Sequence, residues 1–347
     1  MVSVDDFDRF IFVVGAPRCG STTLSGFLKR HPDVRFPLVK EPHFFSQNDL
    51  RGLSDSELRK RVERDYLGRF FREGPGPRVA ADCSVTYLYS PELMEPVLRL
   101  WPNSRFIIAL RDPLTMLPSM HQRLVFMGDE TLTSFASAWA AVPDRAAGRK
   151  IPRRCVDPRW LRYDEAARFG TYVGRLFDVV GRDRCHTVIF DDLSADPDGE
   201  YRKLMSFCGL EPVPGIEFTP ERPGKGVRFH WLQRLLKRPP SAVKSYVATD
   251  AFLHVTGQAT GESKKRRGAK ARGWILAMRK RLLDWNRLAA PSEPLPVDLQ
   301  WQLRNHLQGE IAQLEGLIGR DLSHWLQPTG APPAVSGGDL AREPSDL

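Results

Sequence analysis

The stretch GAPRCGSTT at residues 15–23 constrains the fold more than any other part of the chain. It follows residues 10–14, an apolar run of Phe, Ile and Val that is typical of a buried parallel strand. It leads into Ser21–Arg30, where apolar residues have the spacing of one helix face. A strand, a glycine loop and a helix in succession turn backbone N–H groups and a helix N-terminus toward an anion. The sequence therefore predicts a phosphate-binding loop.

This loop departs at one position from the G-x-x-x-x-G-K-[ST] pattern of nucleoside triphosphatases, in which the lysine reaches the β- and γ-phosphates. Gly15, Gly20 and Thr22 keep the spacing, whereas Ser21 stands in place of the lysine. Arg18 and three consecutive hydroxyl residues suit a compact dianion better than a triphosphate with its Mg²⁺ ion. The alternative is a turn between strand and helix that binds nothing.

Three further segments, residues 79–82, 105–110 and 185–190, also have the composition of buried strands. After the second of them, Asp112 can cap a helix that has Pro113 at its first position and extends to about residue 127. Strands that alternate with helices predict an α/β fold with a central parallel sheet flanked by helices. Its functional sites are expected at the carboxyl ends of the strands.

Two pairs of residues are candidates for anion binding and proton transfer. Arg111 follows a strand and Ser119 lies two helical turns further on, so that both can reach one small anion. Glu41, in the segment VKEPHFF at residues 39–45, is a candidate general base whose pKa burial would raise toward the working pH. His43 is the competing base. The alternatives are a surface arginine and a surface lysine–glutamate pair.

The segment GKGVRF at residues 224–229 offers a third cationic loop. Lys225 and Arg228, together with the backbone at Gly226, could hold a nucleotide. The alternative is a solvent-exposed loop without a ligand.

The composition limits the partners and the compartment. A formal net charge of +9 favours an anionic partner but does not choose between a nucleotide, a nucleic acid, a phosphorylated or sulfated substrate and a membrane surface. The five cysteines are odd in number and form no C-x-x-C pair, which argues against a disulfide framework and a zinc site. With no signal peptide and no long apolar run, a cytoplasmic location is expected.

The length of 347 residues fits one large α/β domain at residues 1–326, with a basic insertion at about 231–298. Within the insertion, residues 256–273 are predicted to be a linker and residues 274–288 a basic amphipathic helix. This helix either rests on an anionic membrane or packs on the core. Residues 299–326 are predicted to close the domain as a helical region, and residues 327–347 to be a disordered tail.

Taken in order, these motifs resemble sulfotransferases that use 3′-phosphoadenosine 5′-phosphosulfate (PAPS), of the heparan-sulfate and bacterial carbohydrate type. The resemblance covers about residues 9–230 and 299–326, and implies a three-layer, P-loop-like fold. It implies that the loop grips the 5′-phosphosulfate through Arg18, Cys19, Gly20, Ser21, Thr22 and Thr23. It further implies that Arg111 and Ser119 grip the 3′-phosphate, and that Lys225, Gly226 and Arg228 close over the nucleotide.

The resemblance implies in-line sulfuryl transfer to an acceptor hydroxyl, or less often an amine, with Glu41 as the base and no metal. Arg18 and Lys225 would neutralise the leaving phosphate. Two departures stand out: Arg18 replaces a common lysine, and Pro118 should distort the helix that carries Ser119. The acceptor is expected to be a small molecule, a glycan or a lipid-linked compound.

Two other functions are compatible with parts of the sequence. A P-loop kinase would explain the glycine loop, but Ser21 in place of lysine and the lack of a Mg²⁺ carboxylate motif argue against it. A nucleic-acid-binding protein would explain the basic residues 264–272, but not the phosphate loop.

Overall fold

A computed structural model describes residues 2–215, 225–239, 269–289 and 294–327. Within these ranges, five parallel strands form the main sheet in the spatial order β2-β3-β1-β4-β5. Their bounds are β1 Arg9–Gly15, β2 Val34–Arg35, β3 Val79–Asp82, β4 Arg105–Leu110 and β5 Cys185–Ile189. Central strand β1 is buried from Phe10 onward, because both faces of the sheet are covered. Four strands confirm the predictions, and only the short edge strand β2 was not predicted.

Helices flank the sheet and complete the α/β architecture. Their bounds are α1 Ser21–Arg30, α2 Phe44–Gln47, α3 Asp55–Val62, α4 Gly68–Phe70, α5 Glu95–Leu100, α6 Pro113–Met127, α7 Phe135–Ala140, α8 Val142–Ala146, α9 Tyr163–Ala166, α10 Phe169–Val180, α11 Phe190–Ala195, α12 Pro197–Cys208, α13 His230–Lys237, α14 Ala269–Trp285 and α15 Val297–Ile318. Helix α1 has the predicted bounds. Helix α6 continues through Pro118 to Met127, so the proline does not end it.

The basic insertion differs from its prediction. Helix α14 already begins at Ala269, within the predicted linker, and gives way to strand β7, Arg287–Ala289. This strand pairs in antiparallel fashion with β6, Lys225–Val227. In this two-stranded sheet, β6 precedes α13 and β7 follows α14. Helix α13 packs against α6. The rest of the predicted linker, residues 256–268, and the tail beyond residue 327 lie outside the described residues.

No helix among the described residues is both long enough and apolar enough to cross a membrane. Helix α14 contains most of the segment that the sequence predicted either to rest on a membrane or to pack on the core. Trp274, Met278, Leu282 and Trp285 all remain exposed on it. The alternative in which this helix buries its apolar stripe in the core is therefore wrong.

Candidate functional site

The phosphate loop connects β1 to α1, and at Gly20 it packs closely against Leu193. Gly20 has φ 87°, and a Cβ at its position would lie 2.9 Å from Cδ2 of Leu193. Glycine is required there both by the left-handed backbone and by the lack of space. No side chain caps α1, so its first backbone N–H groups are available to an anion at the loop.

The predicted loop residues differ in how far their side chains are exposed to a ligand. Cys19 is buried, and its Sγ donates to the carbonyl oxygen of Pro17 at 3.4 Å. Ser21 is also buried, whereas Thr22 is exposed and its hydroxyl lies 3.2 Å from the Nζ of Lys40. Thr23 is partly exposed in the first turn of α1. The exposed hydroxyl on the loop surface is therefore that of Thr22, and Cys19 can serve an anion only through its backbone.

Arg18 joins the phosphate loop to α6. Its Nε donates to the Oγ of Ser119 at 2.9 Å, and Ser119 is buried. The Nη1 of Arg111, at the end of β4, donates to the carbonyl oxygen of Arg18 at 3.4 Å. The predicted 5′- and 3′-anion sites therefore adjoin each other, because the carboxyl ends of β1 and β4 are neighbours in the sheet. The continuous helix α6 lets Ser119 face the loop in spite of Pro118.

The guanidinium group of Arg111 lies over the aromatic ring of Phe190. Its Cζ is 4.2 Å from the centroid of the Phe190 ring, and its Nε donates to the Oγ1 of Thr115 at 3.0 Å. Asp112 caps α6 by accepting from the backbone N–H of Leu114 at 2.9 Å. Burial raises the pKa of Asp112 to about 7, and the charge of Asp191 adds to this effect. The negative charge next to Arg111 is thus weakened near neutral pH, which favours binding of an external anion.

Glu41 lies between two nitrogen atoms. Its Oε1 is 2.9 Å from the Nζ of Lys40, and its Oε2 is 3.4 Å from the Nε2 of His43. The same Nζ of Lys40 reaches the Oγ1 of Thr22 on the phosphate loop. Lys40 therefore connects the candidate base to the candidate anion site.

The predicted rise in the pKa of Glu41 is wrong. Burial does raise the pKa, but the hydrogen bond with His43 and the charge and hydrogen bond of Lys40 outweigh it, and the pKa falls to about 2. The sequence predicted the apolar surroundings of Glu41. It did not predict that the Nζ of Lys40 and the Nε2 of His43 would both contact the carboxylate. In this arrangement Glu41 is ionised throughout the physiological pH range.

A buried hydrogen-bond network holds His43 in place. Its backbone N–H donates to the Oγ of Ser84 at 2.9 Å, and Ser84 donates to the buried carboxylate of Asp82 at 2.6 Å. The hydroxyl groups of Tyr66 and Tyr87 each donate to the same carboxylate at 2.8 Å. Because Asp82 ends β3, this network fixes the base segment to the sheet.

Two cations of this region were missed by the sequence reasoning. Lys40 stands next to Glu41 and could have been found from that adjacency. Arg123 lies one helical turn beyond Ser119. Burial lowers its pKa, the positive charge of Arg18 lowers it further, and the negative charge of Glu41 opposes both effects. The i, i+4 spacing from Ser119 could have identified Arg123, because residues at that spacing are neighbours on one helix face.

The third predicted cationic loop, residues 224–229, packs on α6 and α14 within the described residues. Lys225 and Gly226 belong to β6, which packs against α6. The guanidinium carbon of Arg228 lies 5.6 Å from the centroid of the Trp285 ring. The structure does not describe the side chain of Lys225. The predicted contact of this loop with a nucleotide stays a prediction.

The glycine loop before α1 and the arginine at the neighbouring strand end define an α/β protein of the phosphate-loop class. The chain belongs to the Sulfotransferase family, whose sequence profile matches residues 10–214. It is 24% identical over 204 residues to heparan sulfate glucosamine 3-O-sulfotransferase 3B1 of Mus musculus, which covers 58% of this chain and 46% of the relative. It is 24% identical over 216 residues to protein-tyrosine sulfotransferase of Drosophila melanogaster, which covers 58% and 38%.

The chain spans about half the length of the curated relatives it matches, or less. Among solved structures, a sulfotransferase from Alicyclobacillus acidocaldarius is similar with a TM-score of 0.56 and 23% identity. That similarity covers 91% of this chain and 98% of the other. It confirms the three-layer, P-loop-like fold.

Proposed function

We propose that this chain is a sulfotransferase that transfers a sulfuryl group from PAPS to an acceptor hydroxyl. The proposal rests mainly on one observation. At the ends of β1 and β4, Arg18 donates a hydrogen bond to Ser119 and accepts one from Arg111 through its carbonyl oxygen. PAPS has a phosphosulfate and a separate 3′-phosphate, so it needs two adjoining anion sites. Family membership supports the same reaction.

The residues present fit this donor. Arg18 and the N–H groups at the start of α1 would hold the 5′-phosphosulfate, while Arg111 and Ser119 would hold the 3′-phosphate. The Phe190 ring next to Arg111 forms a cation–π contact with the guanidinium and so helps to position it. The lysine that triphosphatases use for the γ-phosphate is not needed, because the donor has no γ-phosphate.

PAPS supplies the sulfur electrophile, which forms a bond to the acceptor oxygen as the bond to the bridging phosphate oxygen breaks. Glu41 accepts the proton of the acceptor hydroxyl, with His43 as the competing base. Arg18 neutralises the charge that develops on the leaving phosphate oxygen. Lys40 lies between the two groups, so it can shift from Glu41 toward that oxygen.

The acceptor is proposed to be a hydroxyl compound: a small molecule, a glycan or a lipid-linked substrate. The names of the two relatives specify a heparan sulfate glucosamine and a protein tyrosine, both of which carry hydroxyl groups. The kinase alternative finds no support in these relatives. The cytoplasmic location stays a prediction.

The first test is calorimetric titration of adenosine 3′,5′-bisphosphate (PAP) without Mg²⁺, compared with ATP and Mg²⁺. We expect metal-independent PAP binding that Arg111→Ala weakens by about 10- to 100-fold, because a charge-assisted hydrogen bond contributes about 1.5–3 kcal/mol. Arg30→Ala, at an exposed arginine in the last turn of α1, is the control and should bind normally. Binding of Mg·ATP alone would instead contradict the proposed donor and favour the kinase alternative.

Peripheral contact with an anionic membrane through residues 274–288 is a further part of the proposal. Trp274 is 65% exposed and Trp285 52% exposed on the basic helix α14, an arrangement typical of interfacial helices. We expect Trp274→Ser with Met278→Ser to weaken sedimentation with phosphatidylglycerol vesicles about tenfold, because apolar area is lost. Val156→Ser, which removes an exposed side chain elsewhere, is the control. Equal sedimentation of all variants would exclude this contact.

A further inference from the structure

Three cationic side chains surround the ring of Phe126 near the end of α6. The Nζ of Lys237 lies 5.5 Å from the ring centroid, and the guanidinium carbons of Arg123 and Arg287 each lie 6.0 Å from it. The three come from α13, α6 and β7. We call this group the Phe126 cluster. Three separate elements of the fold thus bring positive charge to one place.

The Phe126 cluster is poorly neutralised within the described part of the chain. The nearby Asp129 is held by a two-pronged contact from Arg238, at 2.9 and 2.6 Å. The carboxylate of Asp284 is 3.5 Å from Arg287 and half exposed. Neither Arg123 nor Lys237 forms an ion pair with a described acid. Such a concentration of like charge attracts a multivalent anion.

The pKa of Lys237 reflects the same surroundings. Burial lowers this pKa first, and the positive charges of Arg123, Arg279 and Arg287 lower it further. The lysine is therefore already partly dehydrated and repelled by its neighbours. Both unfavourable effects would be relieved by an anion bound between these side chains.

Hydrogen bonds between α6, α13 and the residue before β7 fix the relative positions of the cluster residues. The Nε2 of Gln233 in α13 donates to the carbonyl oxygen of Phe126 at 2.8 Å, and the Nδ2 of Asn286 donates to the Oε1 of Gln233 at 3.3 Å. Gln233 and Asn286 are both buried. These buried hydrogen bonds therefore connect α6, α13 and the start of β7, the three elements that carry the cations.

The cluster adjoins the proposed reaction site. Arg123 lies one turn beyond Ser119 on α6, and the hydroxyl of Ser119 accepts a hydrogen bond from Arg18. Residues one turn apart share a face of a helix, so Arg123 lies on the same side of α6 as Ser119.

We infer that the Phe126 cluster binds a phosphate monoester carried by the acceptor, an inference that rests on the proposed sulfotransferase function. A carboxylate has one charge and two oxygen atoms, which a single arginine can satisfy. A phosphate monoester has nearly two charges and three terminal oxygen atoms, which suits a site with three cations around one ring. The cluster would select a phosphorylated acceptor and orient its hydroxyl toward Glu41.

The test is titration of phenyl phosphate into the protein saturated with PAP. We expect the wild type to bind, and Lys237→Gln and Arg287→Gln each to weaken binding about tenfold without changing PAP affinity. Lys280→Gln and Arg281→Gln remove exposed charges of α14 and are the controls. Their retention of full affinity would show that the net charge alone does not bind the probe.

Three results would overturn the inference: no phenyl phosphate binding, loss of that binding when PAP saturates the protein, or an equal loss of PAP affinity in the cluster variants. The last two would assign the cluster to the donor. Failure of PAP to bind the wild type would instead contradict the proposed function, and phenyl phosphate titration of the free protein would still test the cluster.

Vesicles distinguish a lipid acceptor from a soluble one. Preferential binding to phosphatidylcholine vesicles that contain phosphatidic acid, lost in Lys237→Gln, would support a phosphate monoester on a lipid. Binding of phenyl phosphate without such vesicle binding would support a soluble phosphorylated acceptor. Equal binding to phosphatidic acid and phosphatidylglycerol, unaffected by Lys237→Gln, would show a response to surface charge alone and count against the cluster.

Discussion

Glu41→Gln is expected to lower the rate of sulfuryl transfer by about 10²–10⁴ and to leave PAP affinity unchanged, because a general base contributes about that factor. Glutamine keeps the shape of the side chain and can still contact Lys40 and His43, but it cannot accept a proton. The measurement is single-turnover transfer to a hydroxyl acceptor, with PAP titration of the same variant. A comparable rate in the variant would remove Glu41 from the reaction.

His43→Gln separates the two candidate bases. If Glu41 is the base, this variant should lose much less activity than Glu41→Gln, because His43 then only orients the carboxylate. The reverse order of the two losses would assign the proton transfer to His43. Both variants are needed because Nε2 of His43 lies only 3.4 Å from Oε2 of Glu41.

The pH profile gives an independent measure of the role of Glu41. Its pKa of about 2 means that the carboxylate stays charged from mildly acidic pH upward, so Glu41 should produce no loss of activity between about pH 4 and pH 7. Lys40→Met removes one of the two groups that lower this pKa. Burial then has more effect, the pKa rises, and the acidic fall in activity should move to higher pH. An unchanged profile would contradict the influence of Lys40.

The sequence predicted the sheet and the loop because their signals are local. Residues 10–14 are a continuous apolar run, and the glycines at 15 and 20 follow at a fixed spacing. The eight-residue interval from Arg111 to Ser119 is also local, since one helix connects them. These features depend on neighbours in the chain, which periodicity and spacing describe well.

The features that were not predicted depend on contacts between distant parts of the chain. The low pKa of Glu41 depends on where Lys40 and His43 point, and the Phe126 cluster joins α6 to residues more than a hundred positions later. The short strand β6 forms only because it pairs with β7 across the insertion. No local pattern specifies such pairings, because they arise from packing of the whole domain.

Arg18→Ala is expected to lower the rate of transfer by about 10²–10³, the loss typical when one donor to a developing negative charge is removed. Arg18 has φ 66°, donates to Ser119 and lies where the leaving phosphate is proposed to bind. Arg18→Lys keeps a positive charge but loses the planar set of donors, so its rate should lie between those of Arg18→Ala and the wild type. Single-turnover rates at saturating PAPS measure both.

The control is Ser119→Ala, which removes the hydroxyl that Arg18 contacts but leaves the charge. If Arg18 acts on the transition state, Arg18→Ala should reduce the rate at saturating donor far more than Ser119→Ala, whose main effect should be weaker PAP binding. If Arg18 only holds the nucleotide, both variants should lose PAP affinity and regain the wild-type rate at saturation. The comparison therefore decides between two roles of Arg18. Either it stabilises the charge on the leaving phosphate oxygen in the transition state, or it only positions the donor.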